Sequence, residues 1–402
     1  MSRDPPPPIP LRRRGPRPLL LHLMLSALRS SVSIAASMPW SAAWPLSSPD
    51  DPRHARLREA RAADPEGFAR AVLARALAED RALIRGMACY RRHPHCRTLV
   101  DPPAIWQEGE TRLLDYGGRG RAVLVVPSLV NRGTILDLDE DASLLRYLAR
   151  RRLHPYLLDW GYPDAAAREF TLTDYITGRL ERALAHLPRR LLLVGYCMGG
   201  LLALAAALRQ PRRFQGLALL ATPWDFHAGD PEGAAAVAGL LPAFEAAFQA
   251  SGTLPVDLLQ ILFVLLDPWG VAERYRAFGR LPQTSARARR FVVLEDWLND
   301  GIPLAAPVAR ETLGGWYGEN RPARGMWRVA GEAVRPERLP LPSLIAIPER
   351  DRIVPPPSAE ALAAQLPNAA LLRPRAGHVG MVAGMNAKTE LWEPLATFLE
   401  SL

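Results

Sequence analysis

Uninterrupted apolar runs of four to six residues recur along the chain from residue 122 onward. Ala122-Val123-Leu124-Val125-Val126, Leu191-Leu192-Leu193-Val194 and Gly216-Leu217-Ala218-Leu219-Leu220-Ala221 contain no polar side chain. A strand wetted on one side alternates apolar with polar residues, whereas a strand covered on both faces does not. These runs therefore predict parallel strands buried between layers. Runs at 154–158, 341–348 and 369–373 extend the same sheet. Between them, 141–152, 172–187, 201–210 and 358–366 read as helices. Strands alternating with helices of this length predict an α/β fold, with a mostly parallel sheet and helices on both faces.

Two stretches break the alternation. Residues 225–338 carry apolar helical pieces at 234–241, 243–250 and Val256–Leu266, with aromatic bulk from Trp269, Trp297, Trp316, Tyr317 and Trp327. They predict a helical cap inserted between two parts of a core, 101–224 and 339–402. Residues 18–100 read as a helical N-terminal region in which Asp64-Pro65 interrupts a helical pattern over 52–92. Residues 1–17, rich in proline and arginine, read as a disordered tail. The ten apolar residues at 19–28 follow basic ones, as in a signal peptide. His22 within the run and Arg29 after it favour an amphipathic helix that lies on an apolar surface or docks on the enzyme, too short to span a bilayer.

The run 191–194 leads into Gly195-Tyr196-Cys197-Met198-Gly199-Gly200 and then into an Ala/Leu-rich helix. This order is strand, tight turn, helix, and it forces the central residue to the tip of a strained elbow. In α/β-hydrolases that tip carries a serine nucleophile; here it carries Cys197. A thiol above a helix N-terminus, beside a histidine, is set up as a nucleophile. Asp351 follows the run 341–348, and His378 follows 369–373 within Ala376-Gly377-His378-Val379-Gly380. Nucleophile, acid, histidine is the chain order of α/β-hydrolases. Separations of 154 residues from Cys197 to Asp351 and 27 from Asp351 to His378 leave room for the cap. The loop after 122–126 offers backbone N–H groups of Leu129 and Val130, and the residue after the nucleophile offers that of Met198, for an oxyanion hole.

These residues resemble the polyhydroxyalkanoate synthase family, closest to the catalytic subunits of two-subunit synthases. Gly-Tyr-Cys-Met-Gly-Gly looks like its cysteine lipase box. Pro127-Ser128-Leu129-Val130-Asn131-Arg132 with Ile135-Leu136-Asp137-Leu138 resembles it too, as do Tyr156-Leu157-Leu158-Asp159-Trp160-Gly161 and Leu172-Thr173-Asp174-Tyr175-Ile176. Asp351 with Ile353-Val354-Pro355-Pro356, and Gly377-His378-Val379-Gly380, complete a match running from about residue 114 to the end. Two features depart from the family: Arg352 stands where it usually has histidine, and the first hundred residues do not read as the family's. The resemblance implies a Cys197–His378–Asp351 acyltransferase that takes hydroxyacyl groups from coenzyme A and polymerises them, with coenzyme A thioester as substrate and no cofactor. It also implies a homodimer or a second subunit, and a cytoplasmic enzyme associated with polymer granules. The triad alone leaves two alternatives: a cysteine thioesterase or esterase that passes the acyl group to water, and an inactive granule-binding scaffold.

Composition narrows the remaining classes. The chain has 402 residues, 49% of them hydrophobic, enough for a large core. Three cysteines, Cys89, Cys96 and Cys197, point to a reducing compartment and away from a disulfide framework. Cys89 and Cys96 with His93 and His95 fit no zinc spacing, so no metal site is expected. The net charge of +9 comes almost wholly from arginine and favours anionic partners, but no nucleic-acid module accompanies it.

Overall fold

The computed structural model describes residues 13–39, 41 and 52–402. The chain divides into two compact units, Arg97–Leu262 with Asp300–Leu402, and Met1–Cys96 with Phe263–Asn299. The first unit is built on an eight-stranded sheet: β1 (Ala104–Glu108), β2 (Thr111–Asp115), β3 (Arg121–Val126), β4 (Leu153–Asp159), β5 (Leu191–Tyr196), β6 (Phe214–Leu220), β7 (Ser343–Ala346) and β8 (Ala369–Leu372). Their spatial order is β1-β2-β4-β3-β5-β6-β7-β8. From β4 to β8 every pairing is parallel, and β1 and β2 form an antiparallel hairpin whose second strand runs antiparallel to β4.

The α/β fold with a mostly parallel sheet is borne out, and the reason is burial. Every residue of β5 is buried, as are the last five residues of β3 and of β6. Such strands lie beneath helices on both faces and need apolar side chains at every position. The helix after the elbow runs Met198–Arg209, and its first ten residues are all buried. Some expected helices differ in detail. Over 141–152, Ala142–Ser143 is extended, and a helix runs only Leu144–Ala149, capped by Ser143 Oγ accepting from Arg146 N. Over 172–187 the chain makes wide π-type turns at Asp174–Leu180 before a short α-helix at Glu181–Leu184.

The second unit is helical: α1 (Leu19–Ser37), α2 (Pro52–Ala63), α3 (Pro65–Arg92), α4 (Gly270–Phe278) and α5 (Ala286–Asn299). The break at Asp64-Pro65 is where the sequence places it. Asp64 accepts from Gly67 N at 2.8 Å and Pro65 opens α3, where its missing N–H costs nothing. Leu83, Met87 and Tyr90 of α3 share a core with Ala272, Tyr275, Phe278, Ala288 and Val292. Gly86 lets α3 approach α4, because a Cβ there would press on the Tyr275 carbonyl well inside 3.0 Å. Residues 263–299, inside the stretch read as a cap, thus belong to the same compact unit as the N-terminal helices. Helix α1 spans 19 residues and is long and apolar enough by length and composition to cross a membrane, which corrects the ten-residue expectation. Of the expected tail, residues 1–12 lie outside the described residues. Arg13 pairs with Asp296 at 2.7 Å and Arg17 N donates to Asn299 Oδ1 at 2.8 Å. His93 bonds the Gln283 carbonyl at 2.9 Å and accepts from His95 N at 3.2 Å, and among the described residues no group of side chains is arranged to hold a metal.

Candidate active site

Cys197 sits between β5 and the helix Met198–Arg209 with φ 56° and ψ −130°, a conformation that costs a non-glycine residue strain. Two backbone bonds hold it there: Cys197 N donates to Leu220 O at 2.8 Å, and Gly200 N donates to Cys197 O at 2.9 Å. The surrounding glycines are steric necessities. A Cβ at Gly199 would strike the carbonyl oxygens of Val126 and Pro127, and one at Gly195 would strike the backbone of Gly199 and Gly200. The sequence G-Y-C-M-G-G folds as an elbow because nothing larger fits on either side of the turn.

Asp351 lies five residues past the end of β7, with a fully buried carboxylate. Its Oδ1 accepts from Ile353 N at 2.8 Å and Val354 N at 2.9 Å, an Asx-type turn that the following prolines continue. Its Oδ2 accepts from His378 Nδ1 at 2.7 Å. His378 opens a short helix after Gly377 and is only 7% exposed. With Nδ1 committed to Asp351, Nε2 is the nitrogen left for Cys197, whose charge acts on the ring. Burial alone would push the imidazole pKa down. The charge of Cys197 and the bond to Asp351 outweigh it and raise the pKa to about 10. Of the three side chains expected from the sequence, His378 and Asp351 are joined directly, and the charge of Cys197 acts on the same imidazole.

The loop after β3 packs against the elbow. Trp160 Nε1 donates to Pro127 O at 3.0 Å, and Asp159 pairs with Arg112 at 2.6 Å. Gly161, at φ 68°, lies where a Cβ would meet the Glu110 carbonyl. Asp-Trp-Gly is therefore a structural motif that fixes the loop from below. Met198 opens the elbow helix, where its N–H has no partner one turn back to bond. Leu129 is buried, and Val130 N donates to Ser128 Oγ at 3.2 Å. Of the two expected loop donors, Val130 therefore already has an acceptor within the loop. The loop's end is clamped: Arg132 pairs with Asp300 at 3.2 Å, and Tyr162 OH donates to the same carboxylate at 3.0 Å.

Other neighbours are legible only in three dimensions. The Tyr196 ring lies 5.2 Å from that of His378, and its hydroxyl donates to the His378 carbonyl at 3.4 Å. Phe226 packs on Trp316 and Tyr317 at 5.5 and 5.0 Å, and Trp316 meets Trp327 at 5.4 Å. Burial, and then the charge of Cys197, push the Tyr317 hydroxyl up to about 12. Trp269 and Trp297, counted with these aromatics in the sequence, belong to the helical unit.

A family model described as the alpha/beta hydrolase fold matches residues 121–383. The chain is 29% identical over 310 residues to the poly(3-hydroxyalkanoate) polymerase subunit PhaC of Haloferax mediterranei, covering 72% of this chain and 61% of that protein. It is 29% identical over 285 residues to the subunit of the same name from Allochromatium vinosum, covering 69% and 80%. The chain thus spans less than two thirds of the first relative's length. Among solved structures, an inhibitor complex of Bacillus megaterium epoxide hydrolase matches with a TM-score of 0.50 and 15% identity, over 74% of this chain and 100% of that one. That likeness concerns the fold alone. The motif resemblance is borne out by the relatives. With elbow, acid turn and histidine turn all at strand ends of one parallel sheet, the chain belongs to the α/β hydrolase fold family, and its sequence is similar to poly(3-hydroxyalkanoate) polymerase subunits.

Proposed function

We propose that the protein is an acyltransferase that polymerises 3-hydroxyacyl-coenzyme A into polyhydroxyalkanoate through a thioester on Cys197. The observation that carries this reading is a cysteine at the strained elbow, its charge acting on a buried His378–Asp351 pair, in a chain similar to polymerase subunits. Asp351 keeps the His378 proton on Nδ1 and stabilises the imidazolium. With the imidazole pKa raised, His378 Nε2 takes the thiol proton and the sulfur attacks as the thiolate.

The thiolate attacks the thioester carbonyl and forms a C–S bond. Backbone N–H groups of Met198 and Leu129 hold the developing oxyanion, worth about 3 kcal/mol per donor. Collapse breaks the bond to coenzyme A, whose sulfur takes the proton from His378 Nε2. The acyl group now rests on a thioester close in energy to the substrate. A 3-hydroxyl of another hydroxyacyl unit attacks next, His378 removes its proton, the C–S bond breaks and an ester forms. Cysteine suits this relay because the acyl group is not stranded as a stable oxygen ester. The relatives' names as subunits support an assembly with a second polypeptide or a second copy.

The test is to supply purified protein with 3-hydroxybutyryl-coenzyme A, follow thiol release and identify the acyl product. Polymer is expected, and C197A should abolish both readouts. Stoichiometric free 3-hydroxybutyrate would replace the synthase with a thioesterase, and no turnover, with or without added partner subunit, would leave a scaffold.

A further inference from the structure

Helix α1 buries polar side chains and leaves a row of aliphatic ones outside. His22 and Ser26 are 2% and 4% exposed. Ser26 Oγ donates to Asp80 Oδ1 at 2.7 Å and accepts from Arg276 Nη2 at 3.0 Å, and His22 bonds the Arg17 carbonyl at 3.2 Å. The opposite face carries Leu20, Met24, Leu28 and Val32, a strict four-residue repeat, at 69%, 60%, 58% and 50% exposure. A surface helix in water turns its apolar stripe inward. Here His22 and Ser26 are buried alongside the partly buried Leu19 and Leu23, while Leu20, Met24, Leu28 and Val32 stay outside with Arg29, Ser31 and Ser33, so the outer face offers a row of aliphatic side chains to a non-aqueous neighbour.

The same unit holds all of the protein's excess positive charge. Met1–Cys96 and Phe263–Asn299 contain 22 arginines, no lysine and 12 acidic residues, an excess of ten. The sheet unit has 28 basic and 29 acidic residues. The +9 of the whole chain is therefore not a uniform bias of composition. Arg29, the sole charged residue of α1, stacks over Trp269 at 5.8 Å, and Trp269 is itself exposed, as are Leu265 and Leu266. An exposed tryptophan and aliphatic side chains beside arginine are the equipment of a headgroup interface.

We propose that the helical unit docks on an anionic lipid surface, with α1 lying in the plane of the headgroups and its Leu20–Met24–Leu28–Val32 face in the acyl boundary. Ser26, bonded to Asp80 of α3 and Arg276 of α4, holds α1 to its own unit and favours lying over crossing. Charge complementarity selects the lipid: an excess of ten arginines within one unit gains from phosphate headgroups and gains nothing from an uncharged surface. The inference is independent of the chemistry at Cys197.

The experiment is co-flotation of the full-length protein with phosphatidylcholine vesicles and with vesicles containing 30% phosphatidylglycerol, at 50 and 500 mM salt. Binding to the anionic vesicles should be at least tenfold tighter than to neutral ones at low salt and weaken at least threefold at high salt. The double variant M24E/L28E should lose at least tenfold in vesicle affinity, with an unchanged melting temperature and unchanged thiol release from a soluble substrate. Equal binding to neutral vesicles or to an uncharged polyester film would overturn the choice of an anionic lipid. A concentration-dependent dimer abolished by M24E/L28E, without vesicle binding, would show that a second copy covers the face and would overturn the proposal. Absence of binding to any vesicle would overturn it outright.

Discussion

The substitution Asp351→Asn changes one atom and should remove the general base through the geometry of its neighbours. Oδ1 of Asp351 accepts two backbone N–H groups, from Ile353 at 2.8 Å and Val354 at 2.9 Å. An asparagine must keep its oxygen there, because an NH₂ group would face two donors. The NH₂ then occupies the position of Oδ2, 2.7 Å from His378 Nδ1, and donates to it. Nδ1 must become an acceptor, so the neutral ring carries its proton on Nε2, facing Cys197. A ring in that tautomer has no lone pair for the thiol proton. Flipping the amide to recover the right tautomer leaves two buried donors unpaired, at about 1–3 kcal/mol each, or about 2–6 kcal/mol in all. At 1.36 kcal/mol per tenfold, the productive form falls by about thirtyfold to about twenty-five-thousandfold. Losing the carboxylate charge that stabilises the imidazolium adds to this, so a fall of about 10³ to 10⁴ in kcat is expected. The assay is thiol release from 3-hydroxybutyryl-coenzyme A, with a melting curve to show that D351N is folded. D351A, which leaves both backbone donors without Oδ1, should melt lower than D351N. A folded D351N retaining more than a tenth of the wild-type rate would refute the tautomer argument.

Three further outcomes follow from the same geometry. G199A and G200A should each be destabilising by about 1–3 kcal/mol in denaturant unfolding, since the first strikes fixed carbonyls and the second the fully buried Thr222, whose Cβ no rotation moves; a neutral G199A would contradict the packing described for the elbow. The imidazole of His378 is shifted upward, so its protonated form should persist through neutral pH and be lost only as pH rises through about 10; ¹⁵N NMR should find the ring titrating lower in C197A, where the sulfur's charge is gone, and thiol release should decline on the alkaline side. D300A removes the carboxylate shared by Arg132 and Tyr162 at the end of the oxyanion loop. Because that carboxylate is half-exposed, its loss should cost no more than about 1 kcal/mol of stability, while kcat falls about three- to tenfold with KM little changed, as expected for a group that positions donors used in the transition state.

What the sequence revealed, and what it hid, divides by the range of the interactions involved. β3, β5 and β6 are legible because burial on both faces demands apolar residues at every step, and that demand is written in consecutive positions. The elbow, the acid turn and the histidine turn are legible for a related reason. Each is a local backbone problem solved by its own neighbours: Gly195 and Gly199 around Cys197, Pro355 and Pro356 after Asp351, Gly377 before His378. The hairpin β1–β2 escaped notice because β1 is an edge strand with only partly buried or exposed positions, so its side chains record no strong pattern. The length of α1 was hidden by Ser30, Ser31, Ser33 and Ser37, small polar residues that end an apolar run without ending a helix. The division of residues 263–299 from the rest of the expected cap was hidden more deeply. An apolar helix announces that it will be covered but not by what, and Tyr275 and Phe278 find their partners in Leu83, Met87 and Tyr90, nearly 200 positions earlier. Tyr196, Trp160 and Asp300 belong to this second class, since each acts on the site through a contact that no local pattern encodes. Local necessity thus discloses which atoms are presented for chemistry, whereas what holds them in register, and what else the chain docks against, is specified only by distant pairs. For that reason α1 becomes informative only when its inner bonds to Asp80 and Arg276 are seen: they fix which face is left outside, and the composition of that face then carries meaning.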